Sequence, residues 1–232
     1  MDELVTLARA DGPYGEVVLR RRFGSDGRGE PVPDEFVDEL IVNGAFAMDS
    51  AETGSERALG RIPFPFSGAR VLLGGLGLGY TANELLDADL AILDVVEIEP
   101  ALVAWARQHV TVGLGRIADD LRVRLTVADI AAVLGRADSA DWDAIVLDVD
   151  NGPDFLIHEQ NAGLYSSRGL RSAYERLTPS GLLAIWCQGP SPALLATLGE
   201  LGPSPGQYRH PVRRGEREWS YAIYTVRRTP VR

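Results

Sequence analysis

Lysine is absent from this 232-residue chain, and all 23 of its basic residues are arginine. That absence excludes both the phosphate-binding lysine of a P-loop and catalysis through a Schiff base. Cysteine occurs once, at Cys187, so no internal disulfide can form, as is typical of a reducing cytoplasm. No group of histidine, cysteine and acidic residues has the spacing of metal ligands, and we therefore expect no metal.

Positive charge is also in deficit, because the net charge is −10. This balance argues against binding to nucleic acid or to an anionic membrane. No apolar run reaches the roughly 18 residues that span a bilayer, and the N-terminus lacks the basic start and apolar stretch of a signal peptide. We therefore expect a cytoplasmic protein. The lysine-free composition, rich in Ala, Gly and Arg, suggests a GC-rich bacterial genome.

The first 66 residues differ in pattern from the rest. Runs at 16–22 and 39–48 are typical of strands, and Asn43-Gly44 is a hairpin turn signal. We predict a small β-rich appendage over 1–66, followed by the main domain at 67–232. Pro63 and Pro65 stop any helix before that domain. The apolar run at 41–48 is a candidate for pairing between two copies of the chain, so a homodimer is one possible oligomeric state.

From residue 70 onwards, strand and helix patterns alternate. The strand runs are nearly continuous apolar segments, as expected of parallel strands covered on both faces. They are predicted at 70–74, 91–97, 122–127, 143–148 and 181–187, with helices at 79–87, 100–110, 130–135, 167–177 and 191–199. The last run, at 219–226, follows no clear helix and is predicted to pair antiparallel with 207–212. The fold class is therefore α/β, a Rossmann-like doubly wound, mostly parallel sheet with an antiparallel terminal hairpin.

The first strand of that domain ends in a glycine-rich loop. Its glycines stand at alternate positions, Gly75, Gly77 and Gly79. The next strand ends at Glu97, and a strand, a tight turn, a helix and a following acid together form a nucleoside site. We predict an adenosine-like ligand with Glu97 on its ribose, whereas Glu99 caps the helix that starts at Pro100.

Further candidates follow the later strands. Asp129 either caps the helix starting at Ile130 or contacts adenine, and the two roles are compatible. After the fourth strand, Asp148 and Asp150 alternate along an extended segment, and we predict that both are catalytic. Nearby substrate candidates are Asp154, His158 and Tyr165. Tyr165 and Trp186 are either stacking partners of a ligand or core residues, whereas Cys187, His109 and His210 are predicted to be structural.

Together these segments resemble the spermidine synthase-like branch of the S-adenosylmethionine-dependent methyltransferase fold, over about residues 40 to 226. The motifs that carry the resemblance are Gly74-Gly-Leu-Gly-Leu-Gly79, Val96-Glu-Ile-Glu99, Ala128-Asp129-Ile130, Ala144-Ile-Val-Leu-Asp148, Leu164-Tyr-Ser and Leu177-Thr-Pro-Ser-Gly-Leu. The resemblance implies S-adenosylmethionine, or its decarboxylated form, as donor, a class I methyltransferase-like fold and a β-rich N-terminal piece.

The chain departs from that family at the positions that serve polyamine chemistry. Leu78 stands where aminopropyltransferases carry the acid that holds the amine of the decarboxylated donor. Ala47-Met48 and Ala58-Leu59 lie where the family has a Gln and a Tyr-His pair, and Asn151 replaces the last acid of the gate loop. The nucleoside half of the pattern is thus kept, and the polyamine half is largely lost.

The sequence therefore predicts an enzyme that transfers an alkyl group, above all methyl, from S-adenosylmethionine to a small nucleophilic acceptor. One alternative is an aminopropyltransferase acting on a polyamine. A second, of another class, is a non-catalytic nucleoside-binding or scaffold protein. A nicotinamide-dependent dehydrogenase fits less well, because its glycine motif ends one residue later and no acid/base pair for hydride transfer is evident.

Overall fold

The described residues form two β-sheets, one antiparallel and one mixed. The computed structural model describes residues 4–25, 31–62, 67–136, 141–149, 152, 159–214 and 217–230. None of the described helices is both long and apolar enough to cross a bilayer. The candidate residues Asp150, Asp154 and His158, and the prolines at 63 and 65, lie outside the described residues.

The N-terminal sheet has four antiparallel strands in sequential order: β1 (Leu4–Gly12), β2 (Gly15–Ser25), β3 (Pro31–Val42) and β4 (Ala45–Asp49). Asn43 and Gly44 join β3 to β4 with φ angles of 52° and 74°. Positive φ at both central residues is the geometry of a two-residue type I′ turn, so the predicted hairpin is confirmed.

A β-bulge interrupts the β3–β4 pairing. Leu40 pairs with Met48 and Ile41 pairs with Phe46, which leaves Ala47 as an extra residue between the two pairs. An extra residue bends the strand and re-aims the side chains beside it. As a result, the neighbours Ala47 and Met48 both line the cleft described below.

The second sheet has seven strands in the order β10-β11-β9-β8-β5-β6-β7. The elements that form it and cover it, with the short helix α1 that precedes them, are α1 (Gly54–Gly60), β5 (Ala69–Gly74), α2 (Tyr80–Leu86), β6 (Leu90–Glu97), α3 (Pro100–Arg107), α4 (Val112–Asp119), β7 (Val123–Val127), α5 (Ile130–Leu134), β8 (Trp142–Leu147), α6 (Ser167–Glu175), β9 (Leu177–Cys187), α7 (Pro192–Leu201), β10 (Gly206–Arg214) and β11 (Arg217–Arg227). A single turn of 3-10 helix, Glu159–Gly163, precedes α6.

The strand directions confirm the predicted architecture. Strands β7, β6, β5, β8 and β9 run parallel, whereas β11 is antiparallel to both β9 and β10. The chain leaves β5 toward β6 and β7 on one side and returns to β8 on the other. The strand order therefore reverses between β5 and β8, which is where open α/β sheets bind ligands.

The seven-stranded sheet separates two hydrophobic cores, because successive side chains of a strand point to opposite faces. Val71 and Leu73 of β5 belong to one core, and Leu72 belongs to the other. The first core also contains Val17 and Leu19 of the N-terminal sheet, both fully buried. The N-terminal sheet thus shares a core with one face of the main sheet. The boundary at residue 66 stays a prediction.

Three elements differ from the sequence-based assignment. Strand β1 and helix α1 were not predicted, and the helix expected at 100–110 ends at Arg107 and is followed by α4. His109, between α3 and α4, has a φ of 56°, a left-handed conformation that stops the helix. Thr111 then accepts a hydrogen bond from Leu114 N at 3.2 Å and so caps α4.

We expect Leu19→Ala to lower the free energy of unfolding of the whole chain by about 2–5 kcal/mol, because it leaves a cavity in the shared core. Leu4→Ala is the matched control, since Leu4 is 55% exposed. Guanidinium unfolding, followed by the fluorescence of Trp105 and Trp142 in the main domain, measures the change. An unchanged transition in Leu19→Ala would show that the N-terminal sheet folds separately.

Candidate functional site

A cleft lies at the carboxyl ends of β5, β6 and β8, at the switch point of the sheet. The main sheet and the loops beyond it supply Gly75, Leu76, Gly77, Glu97, Ile98, Glu99, Ala128, Ile130 and Asp148, whereas the N-terminal sheet supplies Leu40, Val42, Ala47 and Met48. Glu56, Tyr80, Asn161 and Trp186 complete most of the remaining wall. We call this space the main cleft.

The glycine loop is held in a conformation that a side chain would break. Gly75 has a φ of 90°, and a Cβ built on it would lie 2.1 Å from the carbonyl oxygen of Asp148. Gly77 has a φ of 51°, and its Cβ would lie 2.8 Å from Met48 Sδ. The loop glycines therefore serve close packing between the loop, β8 and the N-terminal sheet.

Glu97, at the end of β6, ties the glycine loop to the neighbouring strand. Its Oε2 accepts a hydrogen bond from Leu76 N at 2.7 Å, and its Oε1 accepts one from Glu99 N at 2.8 Å. Burial raises the pKa of Glu97, while these backbone N–H groups oppose the rise by stabilising the carboxylate. The structure places Glu97 in the cleft wall as expected, and its ribose contact stays a prediction.

The second acid of that segment, Glu99, occupies the N-cap position of α3, with Pro100 as the first helical residue. Its side chain makes no capping hydrogen bond, so the prediction that this side chain caps the helix is wrong. The carboxylate instead turns toward β1, where a Cβ on Gly12 would lie 3.0 Å from Oε2. Glu99 is 1% exposed and forms part of the cleft wall.

Asp129 caps α5, because its Oδ1 accepts a hydrogen bond from Ala131 N at 2.8 Å. The cleft wall at this point is formed by Ala128 and Ile130 on either side of it. The capping interpretation is therefore confirmed, and a contact between Asp129 and adenine stays a prediction.

Asp148 follows β8 and faces the cleft beside the glycine loop. Its backbone N–H donates to Gly74 O at 2.9 Å, and its Oδ2 lies 2.5 Å from Thr81 Oγ1 on α2. Burial, with a contribution from the charge of Glu56, raises the pKa of Asp148 to about 7. A carboxyl group that titrates near neutral pH can accept a proton from a substrate and release it again.

Glu56, on α1, is a site residue that sequence reasoning missed. It is 8% exposed, and its Oε2 accepts a hydrogen bond from Ser55 Oγ at 2.7 Å. Burial raises the pKa of Glu56 above its ordinary value. No motif marks this residue, since α1 is a single short helix, and only tertiary packing brings it beside Asp148.

A second cavity adjoins the main cleft, and we call it the aromatic cavity. It is lined by Phe46, Ala47, Met48, Asp49, Glu52, Glu56, Trp186, Gln188, Trp219 and Tyr221. The ring of Tyr221 lies between two indoles, with centroid distances of 5.1 Å to Trp186 and 6.2 Å to Trp219. Three carboxylates and four aromatic rings around one cavity favour a small cationic ligand.

Trp186 connects the two spaces, because it lines both of them. Its indole Nε1 is buried, and no described residue accepts a hydrogen bond from it. A buried donor without a partner is costly, so the group is one that a bound ligand can satisfy. Trp186 belongs to the buried core and also lines both spaces, and its contact with a ligand stays a prediction.

The contacts of the remaining candidates are as follows. The hydroxyl of Tyr165 donates to Val149 O and holds the segment after β8, and a contact of Tyr165 with substrate stays a prediction. Cys187 is buried, as expected. His109 Nε2 lies 2.9 Å from Asp119 Oδ1, and His210 Nε2 lies 3.9 Å from Glu52 Oε1 at the aromatic cavity. Among the described residues, no group of three or more His, Cys, Asp or Glu could hold a metal ion.

Leu78, which replaces the acid of the aminopropyltransferase loop, is buried in the core shared with the N-terminal sheet. Its backbone N–H donates to Met48 Sδ at 3.4 Å. Here the loop therefore makes apolar and sulfur contacts with the N-terminal sheet and offers no carboxylate from position 78.

Solved structures share this fold. A spermidine synthase in complex with the transition-state analogue AdoDATO matches with a TM-score of 0.72 at 17% identity, over 95% of this chain and 73% of that one. The spermidine synthase of Thermotoga maritima gives 0.70 at 17% identity, over 95% and 72%. Human methyltransferase-like protein 13 in complex with SAH gives 0.51 at 21% identity, over 73% and 74%. No protein-family model and no curated protein matches the sequence.

These likenesses define the fold as a spermidine synthase-like form of the S-adenosylmethionine-dependent methyltransferase fold. They confirm the resemblance drawn from the glycine loop and its following acid. At identities of 17% to 21%, they establish the fold and leave the reaction to be inferred from the site.

The raised pKa of Asp148 predicts a stability change with pH. The neutral carboxyl stabilises the fold fully below about pH 4, and this contribution is lost as the pH rises through about 7. We therefore expect Asp148→Asn to gain melting temperature relative to wild type between about pH 5.5 and about pH 8.5, because the amide stays neutral throughout.

Asp120→Asn is the control of opposite sign. Arg122 lowers the pKa of Asp120 to about 2, so the stabilisation from this carboxylate is full above about pH 4 and is lost only as the pH falls through about 2. Its difference from wild type stays constant over the same range. The melting temperatures of wild type and both variants are measured by calorimetry across this pH range. A difference between Asp148→Asn and wild type that does not change with pH would contradict a raised pKa of Asp148.

Proposed function

We propose that this protein transfers a methyl group from S-adenosylmethionine to a small amine acceptor. One observation carries the proposal: the glycine loop, Glu97 and Asp148 line a single cleft that shares Glu56 and Trp186 with an acidic, aromatic cavity. The first space suits a nucleoside donor, the second suits a cationic acceptor, and Glu56 and Trp186 stand where the two adjoin.

The donor half of the proposal rests on fold and loop together. In the fold neighbours, the bound molecules are AdoDATO and SAH. Here the loop after β5 and the acid after β6 stand at the switch point, where such folds bind their ligands. The nucleoside would lie along Gly75 and Gly77, with its ribose hydroxyls on Glu97 and its base near Ala128 and Ile130.

Methyl transfer is favoured over aminopropyl transfer by the surroundings of the loop. A decarboxylated donor carries a free amine at its tail, and holding that amine needs an acid or an amide. Leu78 is buried, and Ala47 and Met48 line the cleft where the N-terminal sheet approaches it. These side chains offer no carboxylate to a cationic tail.

The acceptor half rests on the aromatic cavity. Asp49, Glu52 and Glu56 give it negative charge, and Trp186, Trp219 and Tyr221 give it π-faces. Ammonium groups are attracted both to carboxylates and to the faces of aromatic rings. A small amine held there would point its nitrogen through the junction toward the donor's sulfonium carbon.

Positioning supplies most of the catalysis in this mechanism. A sulfonium leaves as a neutral thioether and needs no general acid, so the main task is to align nitrogen, carbon and sulfur. Asp148 accepts a hydrogen bond from the amine and removes its proton, for which a pKa of about 7 is well matched.

Aminopropyl transfer is the second candidate, and the architecture favours it. The likeness to spermidine synthases covers 95% of this chain, including the N-terminal sheet. The likeness to human methyltransferase-like protein 13 covers 73% of this chain. A protein that binds the nucleoside without turnover is the alternative of another class. The relative affinity for the two donors distinguishes methyl transfer from aminopropyl transfer. Turnover distinguishes both enzymes from a protein that only binds the nucleoside.

Calorimetric titration with S-adenosylmethionine, decarboxylated S-adenosylmethionine and methylthioadenosine tests the proposal. We expect tighter binding of the carboxylated donor. Preference for the decarboxylated donor would shift the assignment to aminopropyl transfer, and binding of none of the three would refute a nucleoside donor.

We expect Glu97→Ala to abolish donor binding, because the ribose loses its carboxylate and Leu76 N loses its hydrogen-bond partner. Glu200→Ala is the surface control, since Glu200 is exposed on α7. Calorimetry on variants shown to be folded by circular dichroism measures the loss. Wild-type affinity in Glu97→Ala would remove the residue from the site.

We expect Asp148→Asn to keep donor affinity and to lower turnover roughly 10²–10⁴-fold, the range typical of a lost general base. Donor-dependent alkylation of a panel of small amines, followed by mass spectrometry, gives the rate. Equal activity of the variant and the wild type would exclude Asp148 from the mechanism.

A further inference from the structure

Glu56 occupies the junction of the two spaces. Among the acidic side chains that the structure describes, it alone lines both the main cleft and the aromatic cavity. Trp186 shares that position, with a buried indole N–H that no described residue satisfies. The junction is therefore a place where ligand atoms are expected, and a carboxylate stands in its wall.

Thr81 contacts both Asp148 and the backbone of Glu56. Its hydroxyl donates to Asp148 Oδ2 at 2.5 Å, and the hydroxyl oxygen lies 3.2 Å from the backbone oxygen of Glu56. This hydrogen bond stabilises the ionised form of Asp148, whereas burial and the negative charge of Glu56 favour the protonated form and outweigh it. The charge of Glu56 therefore acts directly on the protonation of Asp148.

The surroundings of Glu56 leave its negative charge largely uncompensated on the cleft side. Arg57, the next residue on α1, pairs with Glu84 on α2 at 2.6 Å. The other charged or titratable groups packed around it are Asp49, Glu52, Tyr80, Asp148, His210 and Tyr221. Of these, only His210 can carry positive charge, and its Nε2 lies 3.9 Å from Glu52 Oε1.

Glu52 and His210 are partly exposed neighbours beside the aromatic cavity. His210 packs on the turn that begins α1, since a Cβ on Gly54 would lie 2.5 Å from its Nε2. Its Nε2 lies 3.9 Å from Glu52 Oε1, and the two side chains are 32% and 28% exposed. Glu52 shares the wall of the aromatic cavity with Glu56.

We infer that Glu56 is a second catalytic carboxylate, which takes over the acceptor's proton from Asp148 at the junction and releases it to water in the aromatic cavity. This inference rests on the proposed function. The acceptor nitrogen forms the new N–C bond, and the electron pair of the C–S bond returns to sulfur. One N–H proton moves to Asp148, then to Glu56, and leaves through the aromatic cavity, so atoms and charge balance.

The first experiment needs no substrate. Carboxyl-carbon NMR of ligand-free protein follows the titration of Asp148, whose signal is assigned by its absence in Asp148→Asn. In Glu56→Gln we expect the pKa of Asp148 to fall toward its ordinary value, because the neighbouring negative charge is gone. Glu200→Gln is the matched control and should leave the titration unchanged. An identical Asp148 titration in Glu56→Gln and wild type would overturn the pairing.

The second experiment measures turnover against pH. We expect Glu56→Gln to lower kcat about 10²-fold with little change in donor KM, and Glu56→Asp to restore part of the loss. The double variant Glu56→Gln, Asp148→Asn should be no slower than Asp148→Asn alone, because the two carboxyls act as a unit. Additive losses, or an unchanged pH profile in Glu56→Gln, would overturn the relay.

Wild-type donor binding is measured first: its absence refutes the proposed function, whereas the NMR titration still decides the coupling of Glu56 and Asp148.

Discussion

The hydrogen bonds that Glu97 accepts from backbone N–H groups organise the whole site. Leu76 belongs to the loop after β5, and Glu99 belongs to the turn after β6, so one carboxylate joins two strand ends at the switch point. The loop conformation in turn sets where Gly75 meets Asp148 and where Gly77 meets Met48. A buried acid with backbone donors is thus a structural clamp as well as a candidate ligand for ribose, and the two roles compete for the same oxygens.

The N-terminal sheet is part of the site and not an attachment to it. It shares a hydrophobic core with one face of the main sheet, and its bulge at Ala47 presents two consecutive residues to the ligand spaces. The sulfur of Met48 contacts the glycine loop directly. In this way the sheet packs against the glycine loop, while its last strand forms one wall of the aromatic cavity.

The sequence was informative where local patterns decide the structure. The apolar runs predicted the parallel strands, Asn43-Gly44 predicted the hairpin, and the glycine loop with Glu97 predicted the place of the cleft. Helix α1, Glu56 and the cavity around Trp219 and Tyr221 could not be predicted, because they depend on contacts between segments far apart in the chain. Glu99 is a case in which the local pattern gave a wrong prediction. Its position at a helix start predicted a capping side chain, but its carboxylate lies against Gly12 of β1 and makes no capping hydrogen bond.

The strand order has a consequence for how the protein is made. Phe46 and Met48 leave the ribosome early, whereas Trp219 and Tyr221 lie on β11, which pairs with β9 only after nearly the whole chain has emerged. The parallel strands that carry the glycine loop, Glu97 and Asp148 are complete well before that. Every residue that lines the main cleft therefore emerges before Trp219 and Tyr221 can complete the wall of the aromatic cavity. Because β11 also contributes Ala222, Tyr224 and Val226 to one of the two cores, the same strand finishes the cavity wall and the hydrophobic core.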